Sequence, residues 1–266
     1  MTLKEFCEKY PLEVIDNQHF DLNEKYIGNE GLEDLAKLNL EELIQLNLDN
    51  NNLSDINALG TIKYNKLKNL SLNKNYISNI KIFANDIFFN LETLSLNNNN
   101  ISDIRILEKA NFPKLKELDL SSNIIVDIKV LEKVTFPKLE ELNLNKNKIS
   151  DIEILSKINL ESLKFLYLSG NKISNIKVLE NFRFNKLKNL NLSQNNISDC
   201  KVVAKMKLKG SMRMNLEKNE ISDIKPLDGI KFDKLTLILS ENPIDTEKNE
   251  GLISNLKNNY IDKVIF

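Results

Sequence analysis

Residues 115–131 read LKELDLSSNIIVDIKVL, and the same arrangement returns 24 residues later, where residues 139–155 read LEELNLNKNKISDIEIL. An asparagine lies at the centre of each copy and recurs along most of the chain. The spacing is 24 seven times and then 23, at Asn51, Asn75, Asn99, Asn123, Asn147, Asn171, Asn195, Asn219 and Asn242. Compositional bias alone does not produce a period that keeps its phase, so we interpret these nine asparagines as structural.

The composition excludes several classes of protein. The 266 residues include 43 Leu and 41 Asn, and the formal charge is −1. A chain so near neutrality lacks the surplus of Lys and Arg that a broad nucleic-acid or acidic-membrane surface requires. No apolar run is long enough to span a membrane. Cys7 and Cys200 cannot form a disulfide framework, which favours a cytoplasmic or nuclear location.

Each copy of the repeat predicts a short strand followed by a turn. Leu118 and Leu120 alternate with polar residues, the period-two pattern of a strand with one buried face. Asp127 and its equivalents, mostly Asp or Asn, are expected to bond backbone amides and to start a short helical turn. A further column is expected to stack as an interior spine: Leu40, Tyr64, Phe88, Phe112, Phe136, Leu160, Phe184, Leu208 and Phe232.

Over about residues 43–244 this frame resembles the leucine-rich repeat family. Short copies with Ile-Ser-Asp-Ile after the asparagine, as at 149–152, resemble the subclass of type-1 protein phosphatase regulators and bacterial internalins. The resemblance implies that the asparagine amides are buried and bond free backbone groups, forming a ladder. It also implies an α/β fold, a curved solenoid with a parallel sheet on its concave face and short helical turns on its convex face.

The chain is expected to form a single solenoid domain over 1–266. Residues 1–42 are an N-terminal cap with a degenerate repeat, 43–244 are nine repeats of about 24 residues, and 245–266 are a C-terminal cap. Thr2 and Glu5 have the spacing of a capping box for a first helix ended by Pro11. In the degenerate repeat, Ile27 stands at the asparagine position and His19 at a leucine position. An amphipathic helix over 246–259 and a strand within 260–266 complete the chain.

The sequence predicts no catalytic residue, no cofactor and no metal site, and therefore no enzyme. One histidine and two distant cysteines do not have the spacing of a zinc site. No phosphate-binding loop is present. The recurring aspartates are better explained as turn caps than as an acid–base pair.

A partner is expected on the concave face, where most residues are Asn and Ser that composition bias alone could supply. Phe165 and Tyr167 are the only aromatic residues of that face, and both are expected to be exposed. Aromatic anchors beside charge are typical of interface hot spots. The predicted protein-binding residues, suited to an apolar or basic partner side chain, are Phe165, Tyr167, Glu117, Asp119, Glu141 and Arg213. Tyr76 and Ile124 are weaker candidates at the rim.

The predicted function is that of a non-catalytic scaffold or regulatory subunit that binds a protein partner, with a type-1 phosphatase catalytic subunit as one candidate. A first alternative is an internalin-like bacterial or parasite effector that binds a host protein. A second is a catalytic regulator that uses Arg183 or Arg213. The expected partner is a protein, not nucleic acid or a membrane, and the expected state is a monomer.

Overall fold

The computed structural model describes residues 1–10, 18–181, 185–206, 210–228, 234–259 and 264–266. The chain divides into two compact units, Met1–Leu142 and Asn143–Phe266, which we call the first and the second unit. The predicted organisation as one solenoid domain stays a prediction. The predictions for Pro11, Arg183, Phe184, Leu208 and Phe232 concern residues outside the described ranges.

Each copy of the repeat forms one short strand, because its alternating leucines bury one face. The strands are β1 His19–Asp21, β2 Gln45–Asn47, β3 Asn69–Ser71, β4 Thr93–Ser95, β5 Glu117–Asp119, β6 Glu141–Asn143, β7 Phe165–Tyr167, β8 Asn189–Asn191, β9 Met212–Asn215, β10 Leu235–Ile238 and β11 Val264–Ile265. Within the first unit β1 to β5 pair in chain order and in parallel. Within the second unit β7 to β11 do the same.

Short 3₁₀ helices follow the strands, as the repeated aspartates predict. They span Asn57–Thr61, Lys81–Ala84, Asp86–Phe88, Arg105–Lys109, Lys129–Glu132, Glu153–Ser156, Lys177–Asn181, Lys201–Lys205 and Lys225–Leu227. The Lys129 amide donates to Asp127 Oδ1 at 2.8 Å, and the equivalent bond starts the turns that follow Asp55, Asp103, Asp151, Asp199 and Asp223. The prediction that these aspartates are turn caps is confirmed.

The repeated asparagines bond one coil to the next. Asn99 is 7% exposed, and its amide donates to the carbonyls of Leu72, Leu96 and Asn97 at 2.9, 3.1 and 3.2 Å. Its Oδ1 accepts a hydrogen bond from the Ile77 amide at 3.0 Å. Asn75, Asn171, Asn195 and Asn219 repeat this pattern. Asn242 does so while half-buried, at the end of the array.

The residue before each ladder asparagine turns the chain through the left-handed region. Lys74, Lys146 and Gln194 have φ of 52°, 53° and 54° there. Gly170 has φ 68° and is the position best suited to this conformation, which costs other residues about 1 kcal/mol. A Cβ on Gly170 would also lie 3.2 Å from Lys146 Cγ.

The aromatic spine is present in the described residues, with one difference. Tyr64 stacks on Phe88 with ring centroids 5.8 Å apart, and Phe112 contacts Phe136 at 5.6 Å. Between these pairs Phe83 contacts both Phe88 and Phe112, at 5.2 and 6.1 Å. Phe83 lies in a 3₁₀ helix, five positions before Phe88 and in the column of Leu59 and Leu107, so the ring stack draws on two columns.

The N-terminal cap contains two helices, α1 Leu3–Lys9 and α2 Gly28–Leu35. Thr2 and Glu5 form the predicted capping box. Asp34 of α2 joins the helices, because its carboxylate accepts bonds from Lys9 Nζ at 2.7 Å and from the Tyr10 hydroxyl at 3.1 Å.

The first coil is longer than the repeat, and this corrects two predictions. β1 pairs with β2 in the register His19↔Gln45, an offset of 26, whereas β2 pairs with β3 at 24. Ile27 therefore stands where Leu53 does and donates its amide to Asn51 Oδ1, while Lys25 takes the ladder position. His19 is exposed and does not replace a leucine. The cause is α2, since an α-helix rises about 1.5 Å per residue against about 2.0 Å in a 3₁₀ helix and needs more residues for one span.

The C-terminal cap contains α3, Glu250–Asn259, and the short strand β11. The helix starts four residues later than predicted, because 246–249 form a turn in which the Lys248 amide donates to Asp245 Oδ1. Ile253 and Leu256 are buried, as the amphipathic pattern predicts.

Candidate protein-binding surface

The outward residues of the strands form what we call the open face of each unit. The inward residues, such as Leu94 and Leu118 in the first unit and Leu166 and Leu190 in the second, are buried in the core. Since side chains alternate along a strand, the residues on either side of each of these leucines face away from the core. The open face is therefore available to a partner wherever its own side chains leave it free.

Part of the open face in the first unit is occupied by a side-chain hydrogen-bond network. Asp49 accepts bonds from the Ser71 hydroxyl at 2.6 Å and from the Asn73 amide at 2.7 Å. Asn73 Oδ1 in turn accepts from the Asn97 amide at 2.7 Å, and the Asn97 side chain donates to Ser121. These residues form a second ladder beside the ladder asparagines.

Three carboxylates gather on the open face of the first unit. Glu117 is exposed, while Asp119 and Glu141 are half-buried. Asp119 accepts a bond from the Ser121 hydroxyl at 2.6 Å. Partial burial, together with the charges of Glu117 and Asp119, raises the pKa of Glu141. The group is therefore a local concentration of negative charge.

In the second unit, β7 presents the aromatic pair. The rings of Phe165 and Tyr167 stack with centroids 6.5 Å apart and an angle of 13° between their planes. Both side chains are half-buried, whereas the sequence pattern predicts them to be exposed. Each ring packs against its partner and is flanked by the register neighbours Asn189 and Asn191 of β8. The stacked rings form a preordered apolar platform with part of its surface open.

A polar side chain and a cation continue the row that starts at Phe165. Asn189 pairs with Phe165 on one side and with Arg213 of β9 on the other. Its Oδ1 is enclosed and has no hydrogen-bond donor in the described structure. Arg213 is exposed and has no ion-pair partner there. A buried acceptor without a donor is costly, so a donor supplied by a ligand would stabilise Asn189. The row combines an apolar platform, an unsatisfied acceptor and a positive charge.

Comparison with known proteins agrees with this architecture. Two family models match the chain, "Leucine Rich repeats (2 copies)" at residues 90–133 and "Leucine rich repeat" at 113–173. A solved structure of the internalin inlF from Listeria monocytogenes is 28% identical, with a TM-score of 0.61 over 81% of this chain. The chain is a leucine-rich repeat protein.

Other solved structures share the fold of this leucine-rich repeat protein. The Leptospira interrogans protein LIC12759 is 22% identical, with a TM-score of 0.61 over 89% of this chain. A chain from the octameric complex of Latrophilin 3, Unc5D and the leucine-rich repeats of FLRT2 is 19% identical, with a TM-score of 0.61, and 94% of this chain and 84% of that one are covered. The protein spans 65% of the inlF chain and 62% of LIC12759. A search of curated protein sequences found no match.

Leucine-rich repeat proteins are typically non-catalytic interaction modules. Within its described residues, this leucine-rich repeat protein has no group of three potential metal ligands close together, and no helix there has the length and apolarity to cross a membrane. Cys200 is buried, and burial raises its thiol pKa to about 11, which makes the thiol unreactive.

The predicted patch is distributed over both units of the leucine-rich repeat protein. Glu117, Asp119 and Glu141 lie in the first unit, and Phe165, Tyr167 and Arg213 in the second. Each group has the geometry given above within its own unit. Their combination in one site stays a prediction.

Sequence reasoning missed the distribution of charge. The first unit contains 23 acidic and 16 basic side chains, a formal charge of −7, whereas the second contains 15 acidic and 21 basic side chains, a charge of +6. The total of −1 conceals this difference. Counting charges in each half of the sequence would have revealed it.

An apolar rim in the first unit was missed in part. Tyr76 and Ile124, which the repeat frame predicts at the rim, are 59% and 40% exposed. Tyr26 and Val126 are also exposed, at 66% and 55%. Tyr26 could not be placed beside the others from a 24-residue frame, because the first coil has an offset of 26.

Proposed function

We infer that this leucine-rich repeat protein is a non-catalytic scaffold or regulatory subunit whose open face holds a protein partner. The stacked Phe165–Tyr167 pair carries this proposal. Aromatic side chains supply much of the contact energy in protein interfaces, and rings already held by stacking lose little conformational entropy on binding. The fold neighbours support a role as a protein-binding scaffold, and the aromatic pair supports β7 of the open face as the binding site.

The pair has no role in the core that would explain it. The core beneath it is formed by Leu166 and Leu168, which are 1% and 0% exposed. At the same places in the neighbouring coil the sequence has Asn189 and Asn191, so the fold does not require rings there. A contact outside the chain accounts for two adjacent aromatic residues better than packing does.

The test is affinity capture from the source organism with wild type and with Phe165→Ala/Tyr167→Ala. The proposal expects at least one protein to be captured by wild type and lost from the double variant. Tyr26→Ala/Phe89→Ala removes one tyrosine and one phenylalanine from exposed sites of the first unit and is the matched control. Unchanged capture by the Phe165/Tyr167 variant, with circular dichroism showing native structure, would contradict the proposal.

The same capture separates narrower possibilities. A phosphatase catalytic subunit among the proteins lost would support the regulatory-subunit form. The similarity to inlF motivates a second candidate function, an effector that binds a host protein. Capture from host-cell extract tests this candidate. A cytoplasmic location stays a proposal, which fractionation of the source cells would test.

A further inference from the structure

Lysines on the first unit's sheet edge are neutralised by neighbouring coils. Lys66 pairs with Glu42. Glu92 lies between two lysines, 3.4 Å from Lys68 Nζ and 2.6 Å from Lys116 Nζ. Each of these lysines precedes a strand and meets a glutamate one coil away, so this edge presents little net positive charge.

At the equivalent edge of the second unit, two lysines lack this compensation. Lys186 and Lys188 occupy the same two positions of the repeat as Lys66 and Lys68, five repeats later, and both are exposed. Neither makes an ion pair within the described residues. Arg213 lies one coil further along the open face and is exposed, and it too makes no ion pair within the described residues. Three cations therefore border the row of Phe165 and Asn189 with their charges uncompensated.

The opposite edge of the same sheet is also basic. Lys146, Lys148 and Lys172 flank the ladder asparagines of the first two coils of the second unit and are exposed, and no ion pair involves them in the described structure. Between the two edges, the outward positions of β7 and β8 are Phe165, Tyr167, Asn189 and Asn191, with no carboxylate among them. The aromatic pair is thus framed by positive charge on both sides.

We propose that the open face of the second unit binds an acidic segment of a protein partner, with an apolar side chain on Phe165 and Tyr167 and flanking carboxylates facing Lys188, Arg213 and Lys172. This inference rests on the proposed function and names the chemistry of the partner. It differs from the basic partner side chain expected from the sequence, because that expectation was argued from Glu117, Asp119 and Glu141, and this inference is argued from the cations of the second unit.

An acidic protein segment fits this surface better than nucleic acid does. The rings and the uncharged Asn189 and Asn191 suit an apolar side chain of a peptide and could also stack on a base, so the charge of the chain decides between the two. Nucleic-acid affinity comes chiefly from many phosphate contacts. The chain as a whole carries −1, so a long polyanion gains little from it outside this surface.

The test measures the affinity of the full chain for short fluorescent probes by anisotropy. The probes are a peptide with glutamates around a central Leu-Leu pair, the same peptide with lysines in place of glutamates, and a single-stranded DNA oligonucleotide. We expect the glutamate peptide to bind most tightly, with affinity that falls as salt rises. Lys188→Glu/Arg213→Glu is expected to weaken that binding by roughly tenfold or more, because attraction becomes repulsion at two positions.

The matched control is Lys157→Glu/Lys225→Glu, which changes the net charge of the same unit by the same amount away from the open face. Both lysines are exposed. We expect this control to bind the glutamate peptide nearly as wild type does. An equal loss in both variants would overturn the proposal, since it would reveal only a long-range effect of charge. Tighter binding of the oligonucleotide or of the lysine peptide would overturn it as well.

Capture of the natural partner by the two double variants distinguishes this inference from the proposed function. If Phe165→Ala/Tyr167→Ala loses the captured protein and Lys188→Glu/Arg213→Glu retains it, the scaffold function stands and the acidic segment is wrong. If neither variant loses it, the open face of the second unit is not the site, and both proposals fail.

Discussion

At the scale of single residues, Tyr64 shows how a repeated fold can retain an unfavourable contact. Its ring fills the aromatic spine and stacks on Phe88, yet its hydroxyl is buried without a hydrogen-bond partner in the described structure. Burial disfavours the phenolate and raises the Tyr64 pKa well above its usual range. The equivalent residues at 88, 112 and 136 are phenylalanines, which have no hydroxyl to satisfy.

Tyr64→Phe is therefore expected to stabilise the protein by about 1 kcal/mol, since it removes an unpaired polar group and keeps the ring. Urea unfolding followed by circular dichroism measures the change. Tyr10→Phe is the control, because the Tyr10 hydroxyl donates to Asp34 at 3.1 Å and its loss should destabilise by a similar amount. A lower unfolding free energy for Tyr64→Phe would show that the hydroxyl is satisfied.

At the scale of the coil, two ladders connect successive turns of the chain. The buried ladder satisfies backbone carbonyls that the turn leaves free, as the bonds of Asn99 show. The second ladder, half-buried from Asp49 to Asn97 and ending at the buried Ser121, orders the open face of the first unit. An asparagine in this sequence can thus be core, network or plain surface, depending on its position in the frame.

Two neighbouring asparagines provide the test of that distinction. Asn99→Ala removes four hydrogen bonds from a buried site and should destabilise by roughly 3 kcal/mol. Asn100 is exposed, and Asn100→Ala should change the unfolding free energy by less than about 0.5 kcal/mol. Urea midpoints of the two variants give the comparison. Similar losses in both would mean that the ladder bonds are not the source of stability.

At the scale of the whole molecule, stability in acid depends on carboxylates whose pKa values are shifted in opposite directions. Asp34 is held by Lys37 and Lys9, each at 2.7 Å, and these hydrogen bonds lower its pKa to about 2. The pKa of Glu141 is raised by partial burial and by Glu117 and Asp119. Protonation on acidification therefore weakens the N-terminal cap but relieves repulsion on the open face.

The stability from Asp34 is present above its unfolded pKa of about 3.9 and is lost as the pH falls through about 2. Asp34→Asn is expected to be less stable than wild type at pH 7, with the difference closing towards pH 2. Unfolding free energies measured across this range test the sign.

Glu33→Gln removes the same charge from an exposed neighbour and should show a much smaller difference. A gap between Asp34→Asn and wild type that stays constant with pH would contradict an ionised Asp34 in the folded cap.

Much of the molecule follows from one repeating pattern. The aspartate caps and the capping box at Thr2 are local features, set by residues two or three positions apart. The parallel strands and the buried ladder join residues about one repeat apart, and they follow from the period of 24. The sequence by itself determined that this protein is a leucine-rich repeat array with aromatic residues on one strand of its open face.

Only the tertiary structure decided what depends on distances between side chains of different coils. The offset of 26 in the first coil, the insertion of Phe83 into the spine and the unpaired hydroxyl of Tyr64 belong to this group. So do the half-burial of the Phe165–Tyr167 stack and the absence, within the described residues, of an ion pair for Lys188. The repeat pattern indicates which residues share a column. Packing and ion pairing depend on the distances between their side-chain atoms, and these distances are determined only in the folded structure.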